Sequence, residues 1–372
     1  MKIVIFGLSI SSAWGNGHAT LWRGLCRELI NRGHNIVFFE RDVDYYRKHR
    51  DYTQMPGGEL ILYNWWQDTA PTAAHHLAEA DVGIVTSYCP DGLDATDLVL
   101  TSSARLHVFY DLDTPVTLAR VAAGETLSYV GPGGYSGFDL VLSYTGGRAL
   151  DDLKARLGAR QAEPLYGSVD PEVHRPSPPV DEFLADFSYL GTYAIDRQAP
   201  LEQFFLEPAK RLIDRKFLIG GSQYPQDFPW LPNVFHREHV TPPEHSAFYC
   251  SSPLTLNITR KAMADSGWCP SGRLFEASAC KCAVISDWWE GLDYFYTPGQ
   301  DVFICRTTED VIRTMQLPEV RIREVAANAR KRTLERHTAA HRAAEMESLL
   351  ESALHRKHAS SRNNSEVPVC GV

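Results

Sequence analysis

The sequence predicts an α/β protein with two doubly wound, Rossmann-like lobes that face each other across a cleft. Its 372 residues fit two domains of ordinary size, and 44% of them are hydrophobic, so each half can bury a core. Short apolar or aromatic runs alternate with helix-like stretches in both halves. Continuous apolar runs are typical of parallel strands, because helices cover both faces of such a sheet.

The first half contains six such runs and a helix between the first two. The predicted strands are Ile3–Phe6, Ile36–Phe39, Leu60–Tyr63, Val82–Thr86, Leu106–Tyr110 and Leu140–Ser143. Over 18–32, Trp22, Cys26 and Leu29 fall on one helical face, and Gly33 supplies the C-terminal stop. The unit is therefore strand–helix–strand with parallel strands.

The second half repeats this architecture without a sequence repeat. Its predicted strands are Phe187–Leu190, Lys216–Ile219, Val234–His236, Leu254–Ile258, Ala283–Ser286 and Val302–Cys305. Four prolines over 167–179 exclude a helix or a central strand there, as expected of a connector. We therefore predict a first Rossmann-like lobe over 1–170 and a second Rossmann-like lobe over 171–318. C-terminal helices over 319–356 could pack back on the first lobe, and a polar tail over 357–372 is predicted to be disordered.

Charge and composition narrow the class of protein. The net charge of −9 disfavours a protein that binds nucleic acid or an anionic membrane as its main role, since both surfaces attract basic proteins. It does not exclude nucleic acid as a partner. No run approaches the roughly 20 apolar residues that span a bilayer. Eight scattered cysteines are typical of reduced thiols in a cytoplasmic protein, and Cys280 and Cys282 lack the further ligands of a zinc site.

The loop after the first strand, over 7–18, is a candidate for ligand contact. Its glycine spacing differs from the dinucleotide-binding GxGxxG pattern. Gly15 and Gly17 allow the backbone to approach a ligand, and His18 begins the following helix. An imidazole there can take a proton from a sugar hydroxyl near neutral pH; the alternative is that His18 merely caps the helix or hydrogen-bonds the loop.

Asp111 and Asp113 follow the fifth strand and are candidates for a second catalytic contribution. They could bind acceptor hydroxyls or orient His18; the alternative is a structural turn before Pro115. Their Asp-x-Asp spelling also occurs in metal sites, but no third ligand is evident in the sequence. We therefore predict no metal.

The second lobe carries a more specific pattern, a helix entered through Pro270, Ser271 and Gly272. Free N–H groups at a helix start favour an anion, and Arg273 in the first turn adds a guanidinium suited to phosphate. Glu276 lies three residues on, on nearly the same face, where it can accept hydrogen bonds from a ribose diol. The alternative is a surface Arg–Glu pair on an amphipathic helix.

Further contacts with a nucleotide ligand are predicted in the loops after three strands of the second lobe. The candidates are Gly191, Thr192, Tyr193, Asn257, Arg260 and Asp287. The small residues over 191–192 allow a phosphate or base close to the backbone. Trp288 and Trp289 could stack on a sugar or base, although large aromatic residues more often pack in a core.

At 273–280 the sequence Arg-Leu-Phe-Glu-Ala-Ser-Ala-Cys resembles the donor-binding helix of GT-B glycosyltransferases, in which the glutamate holds the nucleotide ribose. Several segments also resemble the CgeB-like (spore maturation protein) glycosyltransferase family, up to about Gly299. They are Ser12–His18, Phe39–Asp42, Phe109–Pro115, Tyr189–Tyr193 with Asp196 and Arg197, Thr255–Arg260 and Pro270–Cys280.

This resemblance implies a metal-independent transfer of sugar from a nucleoside-diphosphate sugar, a co-substrate, to an unidentified hydroxyl, with no cofactor. It implies that Glu276 binds the donor ribose and that Arg260 and Arg273 face the diphosphate, with Asn257 and Tyr193 as weaker donor contacts. His18, with Asp111 or Asp113, would deprotonate the acceptor if the reaction inverts. Trp268 stands where retaining enzymes of this fold carry a first glutamate, so the stereochemical course stays open.

Two alternatives to transfer use the same sequence features. One is a nucleotide-sugar epimerase or hydrolase on the same fold, which would act on the donor without an acceptor. The other is a non-catalytic sugar-binding structural protein of a spore or envelope, which would bind without turnover.

Overall fold

A computed structural model describes residues 1–365 as two compact units. Unit 1 comprises residues 1–12, 25–165 and those from 342 onward, and unit 2 comprises 13–24 and 166–341. The sequence predicted a single boundary near residue 170, but the two units are made of interleaved segments of the chain. Residues 13–24, which include the start of the first helix, belong to unit 2, and the predicted C-terminal region over 319–356 is divided between the two units at residues 341 and 342.

Both units are built on parallel strands, which confirms the predicted α/β class with two Rossmann-like sheets. The strands are β1 (Lys2–Gly7), β2 (Asn35–Arg41), β3 (Glu59–Tyr63), β4 (Val82–Thr86), β5 (Leu106–Asp111), β6 (Leu140–Ser143), β7 (Ala162–Pro164), β8 (Phe187–Leu190), β9 (Phe217–Gly220), β10 (Val234–Arg237), β11 (Leu254–Asn257), β12 (Ala283–Ser286) and β13 (Phe303–Ile304). Within the described residues, the sheet order is β3-β2-β1-β4-β5-β6-β7 in unit 1 and β10-β9-β8-β11-β12-β13 in unit 2.

Helices connect most of these strands. They are α1 (Gly17–Asn31), α2 (Asp44–Arg47), α3 (Trp66–Ala78), α4 (Gly92–Thr101), α5 (Thr114–Ala122), α6 (Arg148–Leu157), α7 (Gln198–Leu201), α8 (Glu207–Arg211), α9 (His245–Cys250), α10 (Lys261–Ser266), α11 (Gly272–Ala279), α12 (Leu292–Phe295), α13 (Thr308–Met315), α14 (Glu319–Arg336) and α15 (Ala339–Ser365). A π-helical stretch, Glu202–Leu206, joins α7 to α8.

Helix α1 illustrates how local sequence sets an element. Trp22, Cys26 and Leu29 recur at helical spacing and are all completely buried. The chain then turns at Gly33, whose φ of +86° lies in the left-handed region that glycine adopts without strain. The Gly33 amide donates to the carbonyl of Ile30, which closes the last turn.

Strand β7 was not predicted from the sequence. Its three residues, Ala162–Pro164, include no β-branched or aromatic side chain, and proline cannot donate to a sheet ladder. Among residues 1–365 the strand pairs with β6 alone, at the edge of the sheet, where a missing donor is tolerated.

The proline-rich connector runs along α9 within unit 2. Its backbone amides at Arg175, Ser177 and Val180 donate to side chains of α9 and the residue after it, which are Ser246, Cys250 and Ser251. Proline prevents the segment from pairing as a central strand, and short polar side chains satisfy the remaining amides instead. Residues 175–180 are thus anchored to α9.

The C-terminal helix α15 differs from the sequence prediction. It continues through Ser365, so residues 357–365 are helical where a disordered tail was predicted; residues 366–372 lie outside the described residues. Within unit 1, Glu347 of α15 pairs with Arg32 and lies 3.0 Å from Nε2 of His34. None of the described helices is long and apolar enough to cross a membrane.

Candidate donor site

The sheet order of unit 2 determines where its functional loops meet. Chain order reverses between β8 and β11, which are neighbours in the sheet. In doubly wound sheets, ligands bind at the carboxyl ends of the strands beside such a switch point. The segments 191–193 and 258–260 follow these two strands directly.

Arg273, in the first turn of α11, contacts the last residues of both strands, Leu190 of β8 and Asn257 of β11. The residue is only 8% exposed, and its guanidinium stacks over the Tyr189 ring at 4.9 Å. Nε donates to the Leu190 carbonyl, and Nη1 donates to Oδ1 of Asn257 at 2.9 Å. Among the described residues these acceptors are neutral, and no carboxylate forms an ion pair with Arg273. The surface Arg–Glu pair that the sequence left open is therefore not formed.

Two glycines make room for this guanidinium and its loop. A Cβ on Gly191 would lie 2.8 Å from Nη2 of Arg273, and a Cβ on Gly221 would lie 2.1 Å from the Gly191 carbonyl oxygen. The φ of Gly221 is also +142°, a region that other residues rarely adopt. The predicted close backbone approach at 191 is thus made by a protein group, the Arg273 side chain.

Asn257 and Asp287 organise the ends of β11 and β12. Asn257 is completely buried and donates to Oγ of Ser286 at 2.9 Å. Asp287 accepts hydrogen bonds from the amide and the hydroxyl of Thr259. Burial raises the pKa of Asp287, while the Thr259 hydrogen bonds and the charge of Arg273 oppose the shift. Both residues were predicted to contact the donor; their observed contacts are to the protein.

Arg260 and Tyr193 lie nearer to solvent. Arg260 is exposed and pairs with Asp196, with Nε 3.2 Å from Oδ2. The amide of Tyr193 donates to the carbonyl of Ser222, and its ring packs 5.5 Å from that of Tyr224. Thr192, between Gly191 and Tyr193, accepts from the Arg197 side chain through its carbonyl. Contact of these three residues with a ligand stays a prediction.

The start of α11 offers donors to a ligand. Ser271 at the N-cap has an extended backbone, with φ of −68° and ψ of 140°, and no side-chain hydrogen bond caps the helix. Oε1 of Glu276 lies 3.7 Å from where a Cβ on Gly272 would stand, so this carboxylate points back towards the helix start. Amide donors and a half-buried carboxylate therefore lie side by side, as a phosphate and a ribose diol require.

Glu276 also borders two histidines that the sequence did not single out. His174, His245 and Glu276 each place one possible ligand atom within 4.8 Å of the others. Nε2 of His174 lies 3.2 Å from Nδ1 of His245, and the Tyr249 hydroxyl donates to Oε2 of Glu276 at 3.4 Å. Burial lowers the pKa of His245 to about 4, so its ring is neutral at pH 7. His245 lies 71 positions after His174 and 31 positions before Glu276, so no local spacing rule links the three residues, and sequence reasoning missed the cluster.

Of the candidate loop predicted over 7–18, residues 13–18 belong to unit 2. Gly15 has a φ of +57°, and the His18 amide donates to Oδ1 of Asn16 at 3.0 Å, so Asn16 caps the start of α1. His18 is half-buried, and the Trp14 ring lies 4.3 Å from the His239 ring. Since Asn16 supplies the cap, the alternative in which His18 caps the helix is not observed.

Asp111 in unit 1 requires a correction. The sequence predicted contact with an acceptor or with His18, but Asp111 is completely buried. Its carboxylate accepts from the Tyr135 and Thr117 hydroxyls at 3.0 and 3.1 Å and from the Asp113 amide. Burial and the nearby Asp113 raise the pKa of Asp111 to about 7. Asp111 therefore stabilises the turn after β5, whereas Asp113 is half-buried and accepts from Ser87 at 3.2 Å, and its contact with an acceptor stays a prediction.

Glu40 is a buried charge of unit 1 that the sequence reasoning did not assign. At the end of β2 it accepts hydrogen bonds from the Ser9 and Ser11 hydroxyls and from the Ile10 and Ser11 amides, all between 2.5 and 2.9 Å. A glutamate that continues the apolar run Val37–Phe39 was the available signal. Glu40 fixes the first part of the loop that follows β1.

Comparisons with known proteins agree with this architecture. Residues 197–348, less than half of the chain, match a family model described as glycosyl transferase-like. A sucrose-phosphate synthase from Thermosynechococcus elongatus superposes with a TM-score of 0.71 at 13% identity, over 95% of this chain and 99% of that one. HepE of Anabaena, in complex with UDP and glucose, gives 0.64 at 13% identity over 95% and 100%.

An α-glucosyltransferase in complex with UDP gives a TM-score of 0.66 at 11% identity, over 94% of this chain and 100% of that one. No curated protein sequence matches the chain significantly. The resemblance to CgeB-like proteins stays a prediction. The matched family model and the shared GT-B fold support a glycosyltransferase.

Proposed function

We propose that the chain transfers a sugar from a nucleoside-diphosphate sugar to a hydroxyl-bearing acceptor without a catalytic metal. The observation that carries this proposal is the buried guanidinium of Arg273 beside the uncapped start of α11. A buried cation without a carboxylate partner is costly unless an anion binds near it. A donor diphosphate supplies that anion, and the developing charge on the leaving diphosphate is stabilised by the same groups.

The remaining donor contacts follow from this placement. Glu276 accepts hydrogen bonds from the ribose diol. Exposed Arg260 breaks its ion pair with Asp196 and contacts the outer phosphate of the donor. The UDP named with HepE and with the α-glucosyltransferase makes a uridine nucleotide the first donor to test. Asn257 and Asp287 act indirectly, because they hold Arg273 and the loop at Thr259 in position.

In this proposal His18 deprotonates the acceptor or, in a retaining reaction, orients the donor. The metal-free chemistry draws support from the electrostatics of α11, since a guanidinium and helix amides replace the divalent ion as the stabilising charge. The Asp-x-Asp spelling gives no support to a metal at residues 111–113, because the donors from Tyr135, Thr117 and the Asp113 amide already occupy the Asp111 carboxylate.

The first experiment is a thermal-shift panel of UDP, GDP, dTDP, ADP and CMP, with and without magnesium. We expect one nucleoside diphosphate to raise the melting temperature, with no dependence on magnesium, because a ligand that binds only the folded state stabilises it. Product analysis of the matching nucleotide sugar without acceptor then separates transfer from epimerisation. No shift with any nucleotide would favour a sugar-binding protein without turnover.

A further inference from the structure

We propose that His174, His245 and Glu276 form a site for a zinc-class divalent ion, and that this ion competes with the donor nucleotide for Glu276. The site lies within unit 2, where one ligand atom of each residue is within 4.8 Å of the others. Ion binding depends on these residues alone. Only the competition rests on the proposed function, because it requires the ribose role of Glu276.

The spacing of the two imidazoles suits a tetrahedral ion. Zinc–nitrogen bonds of about 2.0–2.1 Å place two nitrogen ligands about 3.3 Å apart. Nε2 of His174 and Nδ1 of His245 are 3.2 Å apart. An ion between them takes the place of the proton that the two nitrogens otherwise share. Glu276 completes two imidazoles and a carboxylate, a ligand set that zinc accepts and that magnesium, which prefers oxygen, does not.

The hydrogen bond of the other His245 nitrogen fits this assignment. Nε2 of His245 lies 3.3 Å from the Val240 carbonyl oxygen. A histidine that ligates a metal through one nitrogen commonly donates its other N–H to a carbonyl or a carboxylate, which fixes the ring and its tautomer. Because the Val240 carbonyl can only accept a hydrogen bond, this contact favours the tautomer that carries the proton on Nε2. Nδ1 then presents its lone pair to the proposed ion.

The two histidines are also held in a fixed relation by the backbone around them. Ser246, the residue after His245, accepts from the Arg175 amide at 3.1 Å and donates to the Val173 carbonyl at 2.7 Å. Val173 and Arg175 flank His174, so one serine clamps the connector against the start of α9. Such preorganisation reduces the conformational entropy that is lost when an ion binds.

The consequence for the enzyme lies in the third ligand. A Glu276 carboxylate bound to a divalent ion has its charge neutralised and gives up a lone pair, so it accepts hydrogen bonds from a ribose diol less strongly. Zinc would therefore weaken nucleotide binding from a position separate from Arg273. The site makes occupancy of the donor site sensitive to the free zinc concentration.

Direct binding tests the ion site without reference to nucleotides. Zn²⁺ is titrated by calorimetry into the full chain after treatment with chelator, and X-ray absorption identifies the ligand atoms. We expect one equivalent bound through nitrogen and oxygen, no binding of Mg²⁺, and at least tenfold weaker Zn²⁺ binding in His174→Ala and in His245→Ala. The matched control is His355→Ala, an exposed histidine of α15.

Sulfur ligands in the absorption spectrum would overturn the assignment, since free thiols stand at Cys250, which ends α9, and at Cys280, which follows α11. Unchanged affinity in His174→Ala would also overturn it. The absorption measurement uses the natural chain, so the assignment stays testable even if a variant fails to fold.

The competition is tested separately with UDP, or with whichever nucleoside diphosphate stabilises the chain. At free Zn²⁺ held by a metal buffer, we expect at least tenfold weaker nucleotide binding in the natural chain and no effect in His174→Ala. Nucleotide binding that ignores bound Zn²⁺ would overturn the competition and leave the ion site. Absence of nucleotide binding without Zn²⁺ would instead contradict the proposed function.

Discussion

The two units each bury a charged side chain, but they satisfy it in opposite ways. Glu40 of unit 1 accepts four hydrogen bonds from three consecutive residues, Ser9–Ser11. Arg273 of unit 2 donates to two neutral acceptors, the Leu190 carbonyl and the Asn257 side chain. Four donors are enough to hold a carboxylate in place of water, whereas two neutral acceptors leave a positive charge that an anion can still stabilise. Glu40 is therefore architectural, and Arg273 points to a ligand.

The largest expected effect is the loss of the Glu40 acceptors. Glu40→Ala leaves two buried amides and two hydroxyls without their acceptor, so we expect the free energy of unfolding to fall by roughly 3 kcal/mol or more. Urea denaturation measures it, with Glu79→Ala, an exposed glutamate bonded to Lys2, as the control. A stability loss below that of the control would remove the architectural role from Glu40.

Arg273→Met should mainly weaken nucleotide binding if the comparison is correct. The substitution removes a buried charge that has no carboxylate partner, but it leaves the Leu190 carbonyl and Oδ1 of Asn257 without this donor, so we expect a smaller loss of stability than in Glu40→Ala, where four donors lose their acceptor. Nucleotide affinity should fall about a hundredfold, or about 3 kcal/mol, because a charge-assisted contact to phosphate is lost. Calorimetry and thermal denaturation measure the two quantities on one sample. Arg211→Met is the control, since exposed Arg211 pairs with Glu309 away from α11. If the variant loses stability but keeps its affinity for the nucleotide, Arg273 has an architectural role like that of Glu40.

Asp111 of unit 1 is a third buried ionisable side chain, and it should make the folding stability depend on pH. Its folded pKa, about 7, lies above the value near 3.8 expected in the unfolded chain. The folded state therefore binds more protons between these values, and stability should fall as pH rises through that window. From pH 5 to pH 7 the loss is about 2 kcal/mol. In Asp111→Asn this component of the pH dependence should vanish, as measured by urea denaturation across the range. An unchanged slope would mean that another group titrates.

Sequence alone predicted the fold class because buried parallel strands leave a continuous apolar signal. Val82–Thr86, Leu140–Ser143 and Ala283–Ser286 have the predicted bounds. Strand β7, with its proline, gave no such signal. The motif around Arg273 and Glu276 was readable because a helix start and its first turn are local in sequence. The acceptors of Arg273, the four donors to Glu40 and the histidines beside Glu276 come from distant segments, which only tertiary structure brings together.

The smallest effect concerns the ribose, and it tests whether Glu276 complements Arg273. Glu276→Gln keeps the size of the side chain but loses the charge that strengthens hydrogen bonds to a diol, so UDP affinity should fall about tenfold, or about 1.4 kcal/mol. The discriminating probe is 2′-deoxy-UDP. If Glu276 binds the ribose, the natural chain should prefer UDP and the variant should discriminate little between the two nucleotides. An equal preference in both proteins would assign Glu276 to the structure of α11, and the buried guanidinium would then be the residue of that helix that recognises the donor.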